Sequence, residues 1–405
     1  MKHLSKILSL VLAVVFVLSL SACSPKPPVS DEGTLDITTG IPSDNGEEKD
    51  MPVYLKNKAT KAGRVTLEKD SDCPTDFVLN VEGDDEIKIL QLTDTQMIDE
   101  TQVRLGNGAV STRYADHDNC IYDIVDYVIE QTKPDLILIT GDYVYGDYDD
   151  NGTLFREQTD YFDSKGIFWA PMFGNHDGDS DSEYAVWIDE DYPEWYTRKQ
   201  CQYFENSPYC LFRTRVSVSG YSNYSIAIKQ NDQIKRSIFM IDTKGYNHST
   251  IEITTAQLNW YKETVTAVNE YAGAQVPQYI GIHVALDVFL TAAQEKYGYV
   301  AGTSDWVVPE NDDGDSGRLR STPGGISGNA NTKAFNTFKD YGADAILAGH
   351  QHQNNASILY QGIRLVFGTK SSRYDKYGED MLGGTLFTGI GSDFTVEHIY
   401  YVEPV

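Results

Sequence analysis

Basic side chains are scarce in this sequence: 33 Lys and Arg stand against 60 Asp and Glu, a formal charge of -27 over 405 residues. A surface so poor in cations argues against partners held through many phosphates, so a nucleic-acid-binding surface and a polybasic lipid-binding face are both excluded. Cysteine is sparse too, at five residues, and no C-x-x-C pair suggests a structural zinc site. Internal repeats are absent, and no compositional bias runs through most of the chain. What is present is apolar material: 40% hydrophobic and 12% aromatic residues, enough for a sizeable core. The length allows two or three domains, and we expect one large domain with appendages.

The first of those appendages is the start of the chain. Lys2 and Lys6 precede an apolar run from Ile7 to Leu20, shorter than the ~20 residues that span a bilayer and patterned like a secretory signal. The run meets Leu20-Ser21-Ala22-Cys23, which resembles the bacterial lipoprotein signal. That resemblance implies a signal peptide over 1–22, a diacylglycerol on Cys23, and a chain tied to the cell membrane by lipid outside the cytoplasm. An uncleaved anchor would leave the rest of the chain on the same side. Residues 23–50, rich in Pro, Ser, Gly, Asp and Glu, read as a flexible tether. Of the remaining cysteines, Cys201 and Cys210 would close a short disulfide loop in an oxidising location, while Cys120 opens an amphipathic helix and is expected to be buried.

From about residue 85 the chain repeats one pattern, a short apolar run followed by a cluster of metal-type ligands. The runs are 87–92, 136–139, 168–173, 237–241, 279–282 and 345–348. Continuous apolar runs of this length suit strands covered on both faces. Helices are expected between them: at 121–129, capped by Asp118 or Asn119; at 254–269, opening on the capping-box pair Thr254 and Gln257; and at 331–341. Residues 211–228 alternate at period two, as in a hairpin with polar outer faces, and the tail from Ser357 reads mostly as strand. This order predicts an α/β layered fold.

Five clusters follow the strand ends: Asp94-Thr95-Gln96, Gly141-Asp142-Tyr143-Val144-Tyr145, Gly174-Asn175-His176-Asp177, His283, and Gly349-His350-Gln351-His352. Side chains at the carboxyl ends of neighbouring strands converge on one crevice. Carboxylate, imidazole and amide oxygen together suit zinc, manganese or iron. In order and in context, these clusters resemble the calcineurin-like metallophosphoesterases, whose signature runs D-x-H, G-D-x-x, G-N-H-[DE], H, G-H-x-H.

The resemblance spans roughly 85–370 and implies a β-sandwich flanked by helices within a domain over 85–405, with 51–84 as a leader or small strand region. It also implies two metal ions, Fe, Mn or Zn. One would be held by Asp94, Asp142 and His352, the other by the shared Asp142 with Asn175, His283 and His350. His176 would stabilise the transition state or protonate the leaving group, and a hydroxide bridging the metals would attack phosphorus. The departure is Gln96, which stands where the family has His. The Gln96 amide oxygen completes the first site, or Tyr145 does, since Asp142-x-x-Tyr145 matches the purple acid phosphatase form of the motif, or neither does. The implied substrates are small phosphate monoesters or nucleotides. A phosphodiesterase acting on nucleotides or lipid headgroups, and a non-catalytic surface binder retaining the fold, are the alternatives.

Other features receive plainer readings. His117, His248 and His398 read as surface residues. The acidic run Asn311–Gly317 reads as a solvated loop, lacking the glutamate that closes a calcium loop. Arg318 and Arg320 behind it are either solvated or available to a second substrate phosphate. Trp187, Tyr192 and Trp195 either pack an insertion onto the domain or stack on a substrate.

Overall fold

The alternation within each strand decides where the layers lie. In the strand Gln233–Met240 and its extension, Ile238 and Met240 enter one apolar cluster while Phe239 and Ile241 enter another. Tyr279 and Ile280 divide in the same way, as do Ala345 with Leu347 and Ile346 with Ala348. A strand buried on both faces therefore reads as an unbroken apolar run.

The computed structural model describes residues 51–98, 121–146, 152–178, 195–215, 217–246 and 249–403. Among them a nine-stranded sheet runs, in spatial order, Lys61–Ala62, Val65–Leu67, Phe77–Val81, Tyr224–Gln230, Gln233–Met240, Gln278–Gly281, Ala343–Ala348, Ile363–Phe367 and Ser357–Tyr360. A five-stranded sheet runs Asp393–Tyr400, Gly383–Ile390, Ile87–Leu92, Leu136–Thr140 and Phe168–Met172. Leu90, Leu92, Ile137 and Ile139 of the smaller sheet share one core with Ile238, Met240, Ala345 and Leu347 of the larger, the arrangement of a sandwich. On the far face of the larger sheet, Leu258, Tyr261 and Val265 of the helix Thr255–Ala272 and Phe338 of Gly328–Asp340 pack on Phe239, Ile280 and Ile346. The layered α/β expectation holds, with helices covering the sandwich.

The Thr254 capping box forms as expected: the Thr254 hydroxyl accepts from Gln257 N, and the Gln257 side chain accepts from Thr254 N at 2.8 Å. The structure corrects other expectations. The described residues of 211–223 form no strand; Tyr224–Gln230 pairs instead with Gln233–Met240, and Ser225 and Ala227 are as buried as their neighbours, so neither face lies open to solvent there. Cys73, Cys201 and Cys210 are free and buried. Cys201 lies on the helix Trp195–Asn206, and Cys210 bridges to the strand at Trp169, so the two serve as packing residues in one core. Asp315 in the acidic run is buried, held by Lys296, Arg364 and Tyr297. His398 is half-buried, with Nδ1 at 3.0 Å from Thr385 Oγ1. The signal, the tether, Cys23, His117, Asp118, Asn119, Cys120, Trp187, Tyr192 and His248 lie outside the described residues.

Candidate metal centre

Two loops set the first pair of carboxylates. The segments following Ile87–Leu92 and Leu136–Thr140 stay paired beyond their strands: Asp94 N donates to Gly141 O at 3.1 Å, Gln96 N to Asp142 O at 2.8 Å, and Tyr145 N to Met97 O at 3.0 Å. This register brings the buried Asp94 and Asp142 together. Their backbones are left-handed, with φ of 54° at Asp94, 41° at Gln96, 51° at Asp142 and 69° at His350. Such conformations cost about 1–3 kcal/mol each and concentrate where geometry serves a site. The glycines of the motifs have a steric reason. A Cβ on Gly174 would overlap the Asp142 carboxylate, and one on Gly349 would overlap Thr93 Oγ1 and crowd Asp94 Oδ2 at 3.0 Å.

The imidazoles arrive from the larger sheet. His283 follows Gln278–Gly281, and His350 and His352 follow Ala343–Ala348, with Gly349 N donating to His283 O at 3.0 Å. His283 Nδ1 bonds Thr140 O across the sandwich at 2.8 Å, and His352 Nδ1 bonds Lys376 O at 2.8 Å. Each bond to a carbonyl fixes a proton on Nδ1 and turns Nε2 inward, the arrangement expected of a ligating histidine. His283 Nε2 then lies 3.1 Å from Asn175 Oδ1 and 3.3 Å from Asp142 Oδ2, and His352 Nε2 lies 3.2 Å from Asp94 Oδ1. Lone pairs facing one another at these distances need a proton or a cation between them.

Two overlapping ligand groups result, Asp142 with His283 and His350, and Asp94 with Asp142 and His352. Within each group the ligand atoms lie within 4.8 Å of one another. The donor set fits divalent cations of the zinc, manganese or iron type.

The electrostatics agree with that fit. Burial works against a charge on His283, but Asp142 and then Asp94 outweigh it and lift the imidazole to about 9. Burial alone would raise Asp94, yet His352 and His283 hold it at about 2. Asp142 is likewise kept well below the usual carboxylate range by His283 and His176 against the cost of burial. His350 is lowered to about 4, by burial first and then by His283, so it is a neutral imidazole free to ligate.

His176 sits at the mouth, its N–H donating to Asp142 Oδ1 at 2.9 Å and its ring stacked on Tyr145 at 4.2 Å between centroids. It faces a cleft of about 280 Å³ shared with Asp142, His350, His352, Ser321, Thr322 and Lys376. Asp177, the last residue of its motif, is a staple: its carboxylate accepts from Val144 N at 2.8 Å and Gly174 N at 2.6 Å, tying two motif loops together. Arg318 and Arg320 are committed elsewhere. Arg318 pairs with Asp305, and Arg320 forks onto both Asp380 oxygens at 2.6 and 2.7 Å and also reaches Asp305.

Sequence reasoning missed Lys370. It is fully buried behind Gln96, its ammonium donating to Gln96 Oε1 and Asp94 O, both at 2.8 Å, and burial lowers it to about 8. The signal was available: Thr369-Lys370-Ser371-Ser372 follows the apolar strand Ile363–Phe367 in the same way that the other clusters follow theirs. Ser372 Oγ also donates to Asp94 O, at 3.0 Å.

A two-sheet α/β sandwich with carboxylates and imidazoles gathered at its strand ends defines a metal-site hydrolase scaffold. The calcineurin-like phosphoesterase family matches residues 87–354, and the chain belongs to that family of phosphoric ester hydrolases. A phosphatase from Saccharomyces cerevisiae, DCR2, is 25% identical over 193 residues, which is 44% of this chain and 30% of that protein. This chain thus matches under a third of the length of that relative. Similar solved structures include the purple acid phosphatase PPD1 of yellow lupin seeds, at a TM-score of 0.43 and 11% identity over 80% of this chain and 55% of that one. A dimetal phosphatase from Danio rerio has a TM-score of 0.38 and 10% identity over 79% of this chain and all of that one.

Proposed function

We propose that the protein is a metal-dependent phosphoesterase that hydrolyses small phosphate monoesters or nucleotides at a dinuclear centre. The observation that carries this reading is the pair of buried carboxylates, Asp94 and Asp142, met by imidazole nitrogens already turned inward by Thr140 O and Lys376 O. Asp94, Asp142 and His352 would hold one cation; Asp142, Asn175, His283 and His350 would hold the other. Bound there, the pair supplies Lewis-acid polarisation of the phosphoryl group and a nucleophile at neutral pH. The chain's own residues do the rest. Asp142 spans both positions, and its orientation is fixed by hydrogen bonds from Gln96 and from His176 N. His176, braced on Tyr145 at the mouth, hands a proton to the departing alkoxide. Tyr145 thereby serves as the platform for that ring.

His176 also weighs against a mere binder, which has no use for a proton donor at the mouth. The acidic surface favours small esters over polyanions, because the positive charge is confined to the centre. The signal-like start supports a location outside the cytoplasm on a lipid anchor at Cys23. Among the described residues no helix is long and apolar enough to cross a membrane.

The test is hydrolysis of an aryl phosphate and an aryl phosphodiester by the protein stripped with chelator and reloaded with manganese, zinc or iron. Turnover of the monoester that returns with metal supports the reading, and faster turnover of the diester favours a phosphodiesterase. A folded, metal-loaded protein without turnover of either would leave the non-catalytic binder standing. Radiolabelled palmitate incorporation that survives in a Cys23→Ser variant would sink the anchor.

A further inference from the structure

The two halves of the centre are not built alike. Around His283, four side chains offer a ligand atom: Asp142, Asn175, His283 itself and His350. Around Asp94 and His352, the position next in line is Gln96, and its amide is already spoken for. Gln96 Nε2 donates to Asp142 Oδ2 at 3.0 Å, and Gln96 Oε1 accepts from Lys370 Nζ at 2.8 Å. The orientation is dictated by chemistry: a carboxylate only accepts and an ammonium only donates, so the amide cannot be turned over without losing both bonds. The face that Gln96 presents to Asp142 is therefore N–H, which repels a cation. Gln96 is held in this pose at its backbone as well, by Gln96 N on Asp142 O at 2.8 Å and by its left-handed φ.

Lys370 is an unusual neighbour for a cation-binding pocket. It is 1% exposed, and its two hydrogen-bond acceptors, Gln96 Oε1 and Asp94 O, are both uncharged. An ammonium 2.8 Å from Asp94 O opposes the arrival of a second positive charge in front of that residue.

We propose that Lys370 is a built-in cation of the centre, which reserves the Gln96 oxygen and makes the two metal positions unequal. The Asp142, Asn175, His283 and His350 position takes a divalent cation tightly. The Asp94, Asp142 and His352 position takes one weakly, through three protein ligands and against a standing positive charge. Gln96 and Lys370 act as positioning residues, neither of them a ligand. The inference rests on the metal-dependent reading above and specifies how that site is loaded.

The test is a titration of the chelator-stripped full-length protein with manganese or zinc, followed by calorimetry and by metal stoichiometry after equilibrium dialysis. Wild type is expected to show two classes of site, one metal per chain bound at least ~100-fold more tightly than the second. Lys370→Met, which removes both the charge and the donor, should tighten the weak class by ~10- to 100-fold, the usual reach of groups just behind a metal ligand, and leave the tight class within about twofold. Lys370→Gln keeps a donor for Gln96 Oε1 but no charge, and should fall between the two. Two equal tight sites in wild type would overturn the role of Lys370 while leaving the metal reading intact, and that measurement needs no variant to fold. So would a weak class unmoved in both folded variants. Failure of wild type to retain any metal would overturn the metal reading, and this inference with it.

Discussion

Asp76 and Asp315 are buried carboxylates, and so are Asp94 and Asp142, yet the company they keep differs. Asp315 is met by Lys296 at 2.5 Å, by Arg364 at 2.6 Å, by the Tyr297 hydroxyl and by Leu359 N. Asp76 is met by Arg213, by Arg215 at 2.6 Å, and by the amide and hydroxyl of Ser225. Both are neutralised by the chain itself, and both fasten distant segments. Among the described residues no guanidinium or ammonium meets the carboxylate oxygens of Asp94 and Asp142, Lys370 reaching only the Asp94 backbone carbonyl; those oxygens face imidazoles, an amide, a hydroxyl and backbone N–H groups. A buried carboxylate without a matching protein cation costs several kcal/mol to desolvate. A fold retains that arrangement at strand ends when an added cation makes up the difference. In this protein the guanidinium-paired carboxylates belong to the fold, and the imidazole-paired ones belong to the site.

The largest effects should come from breaking the second kind. Asp142→Ala removes the ligand shared by both groups, so metal content should fall to zero and hydrolysis to background while the fold survives. Retention of even one equivalent of metal would show that Asp142 is not the bridge. His176→Ala should leave the metals in place and lower kcat by ~10²–10⁴-fold, the range for a lost acid–base group. Near-normal kcat would remove His176 from the chemistry and leave it as a wall of the cleft.

The same contrast explains what was legible in the sequence. Strands buried on both faces announce themselves as apolar runs, so 87–92 matches its strand at both ends. Ligand clusters are polar interruptions at the ends of those runs, and the five motif loops come together as expected. What stayed hidden was buried polarity. The helix Thr153–Ser164 was missed because its inner face includes Gln158 and Thr159 beside Phe155 and Phe162, which breaks the apolar period. Asp315 was read as solvated because its three partners come from 296–297 and 364, a pairing that only the tertiary structure makes. Lys370 stood in a signalled place after a strand, but its acceptors lie on Asp94 and Gln96, more than 270 positions away, so its role showed only in the tertiary structure. Cys201 and Cys210 lie close in sequence, but burial in one aromatic core claimed both.

Chelation should distinguish the two kinds of carboxylate by stability. With metal at 100 times its dissociation constant, loading stabilises the native state by ~3 kcal/mol. Stripping wild type should therefore lower the urea midpoint, and stripping Asp142→Ala should leave it unchanged. An equal drop in both would place the stabilising metal somewhere other than this centre.

The mirror-image experiment is Asp315→Asn. Lys296 and Arg364 would lose their common partner, and because both retain some access to water the loss should be ~2–3 kcal/mol, below the full cost of a buried unpaired charge. Metal content and turnover should be unaffected. The pH dependence gives the sign. Burial alone would raise the Asp315 carboxyl, but hydrogen bonds from Lys296 and Tyr297 outweigh it and hold the group below its ordinary value. A carboxylate with a depressed folded pKa contributes its stability above the unfolded value of about 3.9 and loses it as the pH falls through the folded value. The gap between wild type and Asp315→Asn in urea unfolding should thus be constant through neutral pH and close in acid below about pH 4. A gap that persisted undiminished in acid would mean that Asp315 is held by shape and neutral hydrogen bonds rather than by its charge, and the line drawn between the two kinds of buried carboxylate would fail on the structural side.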